Sequence, residues 1–308
     1  MRNPKILIVD DLHPVFKEKA AVLGYEVDDR PLISREETLA IIADYDGIAV
    51  RTKFRIDQEL MNVATQLRFV ARAGAGLDNI DVKDAAARNI KLINAPEGNR
   101  DAVGEHATGM LLSLMNNFQR ADAEIRSGIW DREGNRGYEL KGKTVGIIGY
   151  GFMGQSFAKK LAGFEVKVIA YDKYKTGFSD AYAQEASMEE IVRNSDVLSL
   201  HVPLTAETRQ MVNDEYLFHF KKPIFLLNTA RGEILNTKAV LDAIKEEKIL
   251  GAGLDVLETE KFPALGEQEW YKELIACKQV LLTPHVGGWT FDSYRKISEV
   301  LAEKLAVL

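Results

Sequence analysis

Residues 143–172, KTVGIIGYGFMGQSFAKKLAGFEVKVIAYD, decide the fold of this chain. Within them, Thr144–Ile148 is a short apolar run rich in β-branched residues, which predicts a buried strand. Glycines follow with G-x-G-x-x-G spacing, residues 153–163 predict a helix, and residues 166–170 predict a second buried strand that leads to Asp172. This order of strand, glycine turn, helix and strand is typical of a unit that binds a dinucleotide.

The three glycines of this turn have separate tasks. Gly149 permits a tight turn, Gly151 lets the backbone approach a pyrophosphate, and Gly154 lets the helix pack closely on the strand. The helix N-terminus offers unbonded N–H groups to the phosphates, and Asp172 can accept hydrogen bonds from ribose hydroxyls. A carboxylate there repels a 2′-phosphate and favours NAD over NADP, although two nearby lysines weaken that preference. A purely structural glycine turn is the alternative reading of the motif taken alone.

Composition and charge exclude several classes of protein. The chain has 308 residues, of which 46% are apolar, and its net charge is −6. This length favours two domains, and the charge argues against a general nucleic-acid or anionic-membrane partner. Cys277 is the only cysteine, so an intramolecular disulfide or a cysteine-rich zinc site cannot form, and we expect no metal. Asp10 and Asp11 interrupt the first apolar run and no run reaches the ~20 residues that span a bilayer, so we expect a cytoplasmic protein.

Short apolar runs alternate with helical patterns along the chain, which predicts an α/β protein with parallel sheets. Besides the two strands above, the runs predict strands at residues 5–9, 47–50, 68–72, 91–93, 197–200, 224–227, 252–254 and 280–282. Pro96 and Gly98 indicate a break after the first group of strands. The closing helical stretch, residues 293–308, has no obvious place in the dinucleotide unit, so we expect it to return to the first domain.

Three stretches that follow predicted strands carry candidate chemistry, because ligands bind at the carboxyl ends of parallel strands. Residues 228–232 (NTARG) offer an arginine that can hold a carboxylate, residues 254–260 (LDVLETE) offer three acids, and residues 283–288 (TPHVGG) offer a histidine suited to acid/base chemistry. Taken singly, they also fit a surface arginine, solvated loop charges and an ordinary histidine. Together with a nucleotide fold, they suit the oxidation of an alcohol by NAD, which needs a base and a cation for a neighbouring carboxylate.

Seven motifs in this order resemble those of the D-isomer-specific 2-hydroxyacid dehydrogenases, most closely the D-3-phosphoglycerate dehydrogenase branch. They are RAGAGLDNID (72–81), NAPEGNRDAVGEH (94–106), GIIGYGFMG (146–154), SLHVPLTAET (199–208), NTARG (228–232), GLDVLETE (253–260) and TPHVGG (283–288). The resemblance implies an α/β fold of two doubly wound parallel-sheet domains, a Rossmann cofactor domain inserted into a flavodoxin-like substrate domain. It places the substrate-binding domain at residues 1–97 and 284–308 and the NAD-binding domain at residues 98–283.

The same resemblance implies roles for individual residues. His285 corresponds to the catalytic acid/base, Glu260 to the partner that orients its imidazole and favours the protonated form, and Arg231 to the residue that binds the substrate carboxylate and polarises the reacting carbonyl. Arg51, Ala75 and Gly76 fall on substrate-binding positions. The cofactor-contact positions are Gly149, Gly151, Phe152, Met153, Gly154, Asp172, Thr229, Ala230, Asp255, Gly287 and Gly288.

The implied activity is reversible hydride transfer between NAD and a D-2-hydroxy acid or its 2-keto acid, in a homodimer. The first candidate is 3-phosphoglycerate with 3-phosphohydroxypyruvate, as in serine biosynthesis, because Arg51, Lys53, Arg55 and Arg100 would suit a phosphate. A solvated basic face is the alternative reading of these cations, and glyoxylate, hydroxypyruvate or another 2-keto acid remains open. We also expect no inhibition by serine, since the chain ends at Leu308 without the regulatory domain of longer phosphoglycerate dehydrogenases.

Two departures from the family pattern affect the predicted pocket. Lys261 and Phe262 precede Pro263, whereas the family usually has proline directly after the catalytic glutamate, and Trp289 stands where a small residue is frequent. A different class of function also stays open, because corepressors of the C-terminal-binding-protein type share the fold and keep the Arg, Glu and His set. Such a binding module would hold NAD and reduce 2-keto acids slowly or not at all.

Overall fold

The computed structural model describes residues 2–308, which form two compact units. The first unit runs up to Arg100 and resumes at Trp289–Leu308, and the second is Asp101–Gly288. The predicted boundaries lie three residues before the first of these changes and five residues before the second. The assignment of one unit to substrate and the other to NAD stays a prediction.

Twelve strands and twelve α-helices make up the described part of the chain. The strands are β1 (Lys5–Ile8), β2 (Glu26–Asp29), β3 (Gly47–Val50), β4 (Phe69–Arg72), β5 (Lys91–Asn94), β6 (Thr144–Ile148), β7 (Lys167–Tyr171), β8 (Gln184–Glu185), β9 (Val197–Leu200), β10 (Ile224–Asn228), β11 (Ile249–Leu254) and β12 (Val280–Leu282). The helices are α1 (Val15–Val22), α2 (Arg35–Ile41), α3 (Gln58–Val63), α4 (Val82–Ala87), α5 (Pro96–Met115), α6 (Phe118–Arg126), α7 (Phe152–Lys160), α8 (Met188–Asn194), α9 (Asp214–Phe218), α10 (Thr237–Lys245), α11 (Tyr271–Ala276) and α12 (Phe291–Leu305). Short 3-10 helices occupy Ile42–Asp44, Leu161–Phe164 and Gly232–Ile234.

The first unit is a parallel sheet in the order β2-β1-β3-β4-β5. Adjacent residues of one strand enter different apolar clusters, as Leu7 and Ile8 of β1 do, because successive side chains leave a strand on opposite faces. The closing helix α12 belongs to this unit and buries Ile297, Leu301 and Leu305 in one of these clusters. The strand order reverses between β1 and β3, which is the point where sheets of this type bind ligands.

The second unit is also a parallel sheet, in the order β12-β11-β10-β9-β6-β7-β8. Two apolar clusters line it, and neighbouring residues such as Leu226 and Leu227 of β10 enter different ones. The order reverses between β6 and β9, so the glycine-rich turn that follows β6 lies at the topological switch point. The predicted fold class, two doubly wound parallel-sheet α/β domains, is therefore confirmed.

The region around Pro96 differs from the prediction. Instead of a break, Pro96 is the first residue of α5, a position that tolerates proline because the N–H it lacks has no partner within a helix. Gly98 lies in the first turn of α5, and a Cβ built there would lie 2.6 Å from the Cα of Ile297 in α12. The glycine permits two helices to pack closely, and the change from one unit to the other comes two residues later, inside α5.

The other predicted strands and the helices predicted at residues 153–163 and 293–308 lie within three residues of the observed elements, whereas several elements, among them β2, β8, α6, α9 and α11, had no predicted counterpart. The edge strand β2 reads EVDD and has no apolar alternation, which is why the pattern missed it. Among residues 2–308, no helix is long and apolar enough to cross a membrane.

Two glycines of α5 give a matched stability test. We expect Gly98→Ala to destabilise the protein by about 1–3 kcal/mol, because its methyl group would overlap the backbone of α12. Gly109→Ala in the same helix meets nothing within 4 Å, so it should stabilise by about 0.5–1 kcal/mol through helix propensity. Urea midpoints of the two variants measure this, and equal midpoints would contradict the close packing of α5 on α12.

Candidate active site

The glycine-rich turn between β6 and α7 has little room for side chains. Gly149 has a φ of +92°, and a Cβ there would lie 2.7 Å from the carbonyl oxygen of His201. A Cβ on Gly154 would lie 2.2 Å from the carbonyl oxygen of Gly149. Gly151, by contrast, has nothing within 4 Å of the place of a Cβ. Two of the glycines are therefore required by the protein itself, and the third leaves open space above the backbone, as a bound phosphate needs.

Tyr150, the residue between the first two glycines, fixes the turn through both its side chain and its backbone amide. The Tyr150 hydroxyl is 3.0 Å from both carboxylate oxygens of Asp180, and burial raises the pKa of this phenol. The amide of Tyr150 donates to Asp172 at 3.0 Å. Asp172 therefore fixes the glycine turn and still has lone pairs that can accept bonds from ribose hydroxyls.

The two lysines that weakened the preference for NAD both have partners. Lys173 donates to Glu207 at 2.6 Å, and Lys175 donates to the carbonyl oxygen of Tyr150 at 2.7 Å. Neither ammonium group is free to bind a 2′-phosphate in this arrangement. The carboxylate of Asp172 is then the dominant charge at the end of β7, and a carboxylate favours a ribose that carries no phosphate.

Thr229, Ala230 and Arg231 form a tight turn after β10. The Asn228 side chain holds it, because its oxygen accepts from the amide of Ala230 at 3.1 Å and its nitrogen donates to the carbonyl of Arg231 at 2.9 Å. The Arg231 Nη1 donates to the carbonyl of Ala230 at 2.6 Å. The hydroxyl oxygen of Thr229 is buried and has no hydrogen-bond partner among residues 2–308. A buried hydroxyl without a partner is costly unless a ligand provides one.

The three acids that follow β11 have different partners. Asp255 is almost completely buried and bonds to the loop before α12. Glu258 accepts a hydrogen bond from the amide of Thr237 at 2.7 Å, which stabilises the first turn of α10. Glu260 is part-exposed and lies 2.9 Å from the Nδ1 atom of His285. Only the third acid is thus placed to act on the candidate catalytic histidine.

The backbone of His285 is held in an unusual conformation. Its φ is +55°, in the left-handed region that residues with a Cβ rarely adopt. The amide of His285 donates to the carbonyl of Asp255 at 2.7 Å. Strained backbone of this kind persists where the surrounding structure enforces it and is concentrated at functional sites.

Arg231, Glu260 and His285 come from three neighbouring strands. They follow β10, β11 and β12, which are adjacent in the sheet and parallel. Parallel strands end at the same edge of the sheet, so all three residues belong to loops along one edge of the second unit. The part-exposed side chains of His285 and Glu260 leave the second ring nitrogen, Nε2, for a proton donor or acceptor other than Glu260.

The Asp255 carboxylate organises the loop around His285. One oxygen accepts from the Thr283 hydroxyl at 2.6 Å and the amide of Val286 at 2.9 Å, and the other accepts from the amide of Gly287 at 2.8 Å. The Nε2 atom of His106 lies 3.4 Å from the first of these oxygens, the one that accepts from Thr283 and Val286. Burial by itself raises the pKa of Asp255, but the hydrogen bonds from His106, Thr283 and the two amides outweigh burial and lower it to about 2.

Sequence reasoning missed the parts of this network that lie far from Asp255 in the chain. His106, on α5, also lies 3.0 Å from the Thr283 hydroxyl, and the sequence marked it only as the last residue of the motif at 94–106. Nothing in the sequence around His106 points to strand ends almost 180 residues away.

The structure also places other residues that were predicted to contact the cofactor. Phe152 and Met153 begin α7, Ala230 is buried, and Gly288 is the last residue of the second unit.

Two predicted substrate-binding residues lie after β4 in the first unit. The carbonyl of Ala75 accepts from the Asn94 side chain at 2.6 Å, which fixes this turn. The amides of Ala75 and Gly76 have no acceptor among the described residues. Two consecutive free N–H groups at the carboxyl edge of a parallel sheet are suited to an anion.

Arg51, the third predicted substrate-binding residue, follows β3. Its amide and those of Thr52 and Lys53 all donate to one oxygen of Asp10, at 2.7–3.0 Å. Its guanidinium carbon lies 3.2 Å from the ring centre of Trp289. Sequence reasoning treated Asp10 only as a break in an apolar run, although an acid directly after a first strand was a usable signal.

The other cations proposed for a phosphate do not gather around Arg51. The ammonium group of Lys53 donates to the carbonyl of Pro31 at 2.6 Å. Arg55 and Arg100 are exposed. Asp10 and Asp11 lie near Arg51 and offset its charge. No group of three or more His, Cys, Asp or Glu side chains within residues 2–308 is arranged to hold a metal ion.

Comparison with known proteins decides the family. Residues 108–287 match the model of the D-isomer specific 2-hydroxyacid dehydrogenase NAD binding domain. The chain belongs to the D-isomer-specific 2-hydroxyacid dehydrogenase family. It is 38% identical over 282 residues to a glyoxylate reductase of Pyrococcus furiosus, covering 89% of this chain and 82% of that protein. It is 35% identical over 309 residues to a D-3-phosphoglycerate dehydrogenase of Mycobacterium bovis, covering 99% of this chain and 57% of that protein.

The solved structures agree with the family assignment. A glyoxylate reductase from Paecilomyes thermophila superimposes with a TM-score of 0.88 at 25% identity, over 99% of this chain and 95% of that one. The chain is therefore an enzyme of the D-2-hydroxyacid dehydrogenase family and its cofactor is NAD. The open space at Gly151 and the unpartnered hydroxyl of Thr229 fit such a cofactor.

Replacement of Asp255 should make the enzyme less stable and change how its stability depends on pH. Asp255→Asn replaces one of the two accepting oxygens by an NH2 group, which cannot accept the hydrogen bonds that the carboxylate accepts. We therefore expect the free energy of unfolding to fall by about 2 kcal/mol near neutral pH. Because the folded pKa is lowered to about 2, the stability from this carboxylate is fully present above the unfolded pKa of about 4 and disappears as pH falls toward 2.

The measurement is the urea midpoint of the wild-type enzyme and Asp255→Asn from pH 7 down to pH 2.5. The difference between them should shrink as the pH falls. Glu303→Gln is the control, since Glu303 is exposed and has no hydrogen-bond or ion-pair partner among the described residues. A difference that stays constant down to pH 2.5 would show that the loop does not depend on the charge of Asp255.

Proposed function

We propose that this enzyme interconverts a D-2-hydroxy acid and its 2-keto acid, with His285 as the acid/base. The observation that carries the proposal is the 2.9 Å contact between His285 Nδ1 and Glu260, on a histidine whose backbone is fixed by Asp255. An ionised carboxylate can only accept hydrogen bonds. Glu260 therefore requires the proton of neutral His285 to be on Nδ1, which leaves Nε2 as a base.

Proton transfer at Nε2 completes the chemistry. Bound NAD supplies the acceptor for the C2 hydride. In the oxidation direction, His285 Nε2 takes the hydroxyl proton, and the Glu260 carboxylate stabilises the imidazolium that forms. In the reduction direction, the imidazolium returns this proton to the carbonyl oxygen. Glu260 acts in both directions without changing its own protonation state.

Cationic and N–H donors bind the substrate carboxylate in this proposal. Arg231 offers a planar fork that matches a carboxylate and can also polarise the reacting carbonyl. The free amides of Ala75 and Gly76 offer two further donors on the substrate-binding unit. Residues up to 97 and from 284 onward would thus form the substrate domain, and residues 98–283 the NAD domain.

The first candidate substrate is 3-phosphohydroxypyruvate, with 3-phosphoglycerate as its reduced partner and serine biosynthesis as its role. Arg51 supports it, since Arg51 follows β3 at the switch point of the first sheet and its guanidinium has no hydrogen-bond or ion-pair partner among residues 2–308. The match to a D-3-phosphoglycerate dehydrogenase over 99% of this chain also supports it. Glyoxylate or hydroxypyruvate is the second candidate, favoured by the higher identity to a glyoxylate reductase and by the acids near Arg51.

A panel of acids tests the substrate. We expect the enzyme to oxidise NADH with 3-phosphohydroxypyruvate at least about tenfold more efficiently, in kcat/KM, than with hydroxypyruvate, because a charge-assisted bond to Arg51 adds about 1.5–3 kcal/mol. Glyoxylate, pyruvate and 2-ketoglutarate complete the panel. Preference for an unphosphorylated acid would support the second candidate, and silence on every acid would favour an NAD-binding module without turnover.

Variants of the acid/base pair are the controls for this panel. With the preferred acid, His285→Gln should lower kcat at least about 100-fold, and Glu260→Gln should lower it less. NADH affinity, measured by fluorescence titration, should change little in Glu260→Gln, because Glu260 bonds to His285 and has no predicted contact with the cofactor. Near-normal turnover in His285→Gln would overturn the assignment of the acid/base.

We further propose that the enzyme is a homodimer that pairs through α6. No residue of α6 is buried, although the helix carries Phe118 and Ile125, and exposed Ile129, Trp130 and Tyr138 follow it in the chain. Several large exposed apolar side chains within one stretch of the chain are typical of an interaction surface. Sedimentation should show twice the mass of the chain, and Ile125→Glu with Trp130→Glu should reduce it to one. A monomeric wild-type enzyme would contradict this.

A further inference from the structure

Trp289 is part of a row of side chains in contact with one another in the first unit, which we call the Trp289 stack: Arg51, Trp289, Tyr294 and His13. The Arg51 guanidinium lies 3.2 Å above the indole. Tyr294 meets the indole edge-on, with ring centres 5.4 Å apart, and His13 meets Tyr294 at 5.3 Å. The Tyr294 hydroxyl donates to Asp11 at 2.8 Å. The indole beneath Arg51 is therefore held in place by its own neighbours.

The backbone of Arg51 is also held. One oxygen of Asp10 accepts from the amides of Arg51, Thr52 and Lys53, and the Asn79 side chain donates to the carbonyl of Arg51 at 3.3 Å. With its backbone bound by Asp10 and its guanidinium resting on Trp289, Arg51 has little freedom left at either end. An arginine held in this way loses less conformational freedom when it binds an anion.

The stacking leaves the hydrogen-bond donors of Arg51 available. A guanidinium contacts an aromatic ring with its flat face, while its five N–H groups lie in its own plane. Among residues 2–308, the guanidinium has no hydrogen-bond or ion-pair partner. The nearest carboxylates are engaged elsewhere, Asp10 with backbone amides and Asp11 with Tyr294. Arg51 thus presents a partly desolvated, charged edge without an anion of the protein to fill it.

The position of the stack suits recognition of a ligand. Asp10 follows β1 and Arg51 follows β3, the two strands between which the order of the first sheet reverses. Crevices at such a switch point are where open parallel sheets bind ligands. Trp289 is four residues after His285 in the chain and is the residue at which the first unit resumes.

We propose that Trp289 is a positioning residue for substrate specificity: it holds Arg51 by one face so that the N–H edge of Arg51 binds a second anionic group on the substrate, beyond the 2-keto acid. This rests on the proposed function. Selectivity then comes from pre-organisation of a single arginine, since Lys53 is bound to Pro31 and takes no part.

The experiment compares 3-phosphohydroxypyruvate with glyoxylate in Trp289→Leu, Trp289→Phe and Arg51→Met. Trp289→Leu removes the aromatic face and should reduce the kcat/KM ratio of the phosphorylated acid to glyoxylate about tenfold, mainly through KM. Trp289→Phe restores a ring and should recover most of that ratio. In Arg51→Met, adding Trp289→Leu should cause little further loss in the ratio, because both changes remove one interaction.

Phe218→Leu is the matched control, since it removes another cation–aromatic pair, with the Lys248 ammonium 4.6 Å from the ring centre. It should leave the ratio unchanged. The proposal is overturned if Trp289→Phe behaves like Trp289→Leu, if the losses with Arg51→Met add up, or if the wild-type enzyme reduces glyoxylate but not the phosphorylated acid.

Failure of the proposed function gives a different result. If no 2-keto acid is turned over, calorimetric titration of the NAD-loaded enzyme with 3-phosphoglycerate still tests the stack. Binding that weakens about tenfold in Trp289→Leu and recovers in Trp289→Phe supports the role of Trp289 without turnover. The same affinity in the wild-type enzyme and Trp289→Leu, or no binding to either, overturns it.

Discussion

The buried carboxylate of Asp255 holds the loop on which the chemistry of the second unit depends. Its two oxygens take the hydroxyl of Thr283 and the amides of Val286 and Gly287, and its own carbonyl takes the amide of His285. A carboxylate in such a place is costly to bury unless each lone pair finds a donor. Here the donors all come from the loop or from His106. The carboxylate can therefore stay charged and buried only while the loop keeps its conformation.

That requirement explains how a histidine with a Cβ can remain at a φ of +55°. The cost of the left-handed backbone, about 1–3 kcal/mol, is offset by the bonds to Asp255 on both sides of the residue. The fixed backbone places the His285 imidazole next to Glu260. The carboxylates of Asp255 and Glu260 therefore have different tasks, and neither can replace the other. Asp255 already accepts three hydrogen bonds from the loop, and Glu260 is too exposed to hold a loop by hydrogen bonds alone.

Much of the fold could be predicted because buried parallel strands consist of continuous apolar runs. Such runs identified β6, β9 and β10 to within one residue, and the glycine spacing identified the switch point of the second sheet. Elements stabilised by their position rather than their composition could not be predicted. The strand β2 is charged and pairs on one side only, and Pro96 and Gly98 suggested a break where they begin a helix that packs closely on α12.

The candidate site divides in the same way. Arg231, Glu260 and His285 were found because each follows a strand, and a strand end is visible in one stretch of sequence. The three acids after β11 could not be told apart, since their roles depend on partners in α10, in the loop before α12 and on α5. Trp289 and Arg51 are 238 residues apart, and the sequence marked the tryptophan only as unusual. A cation that rests on an aromatic face while its hydrogen-bond donors have no partner becomes recognisable only when the fold brings the two side chains together. This arrangement, rather than the number of nearby cations, gives Arg51 the capacity to select an anion, although Asp10 and Asp11 lie near it.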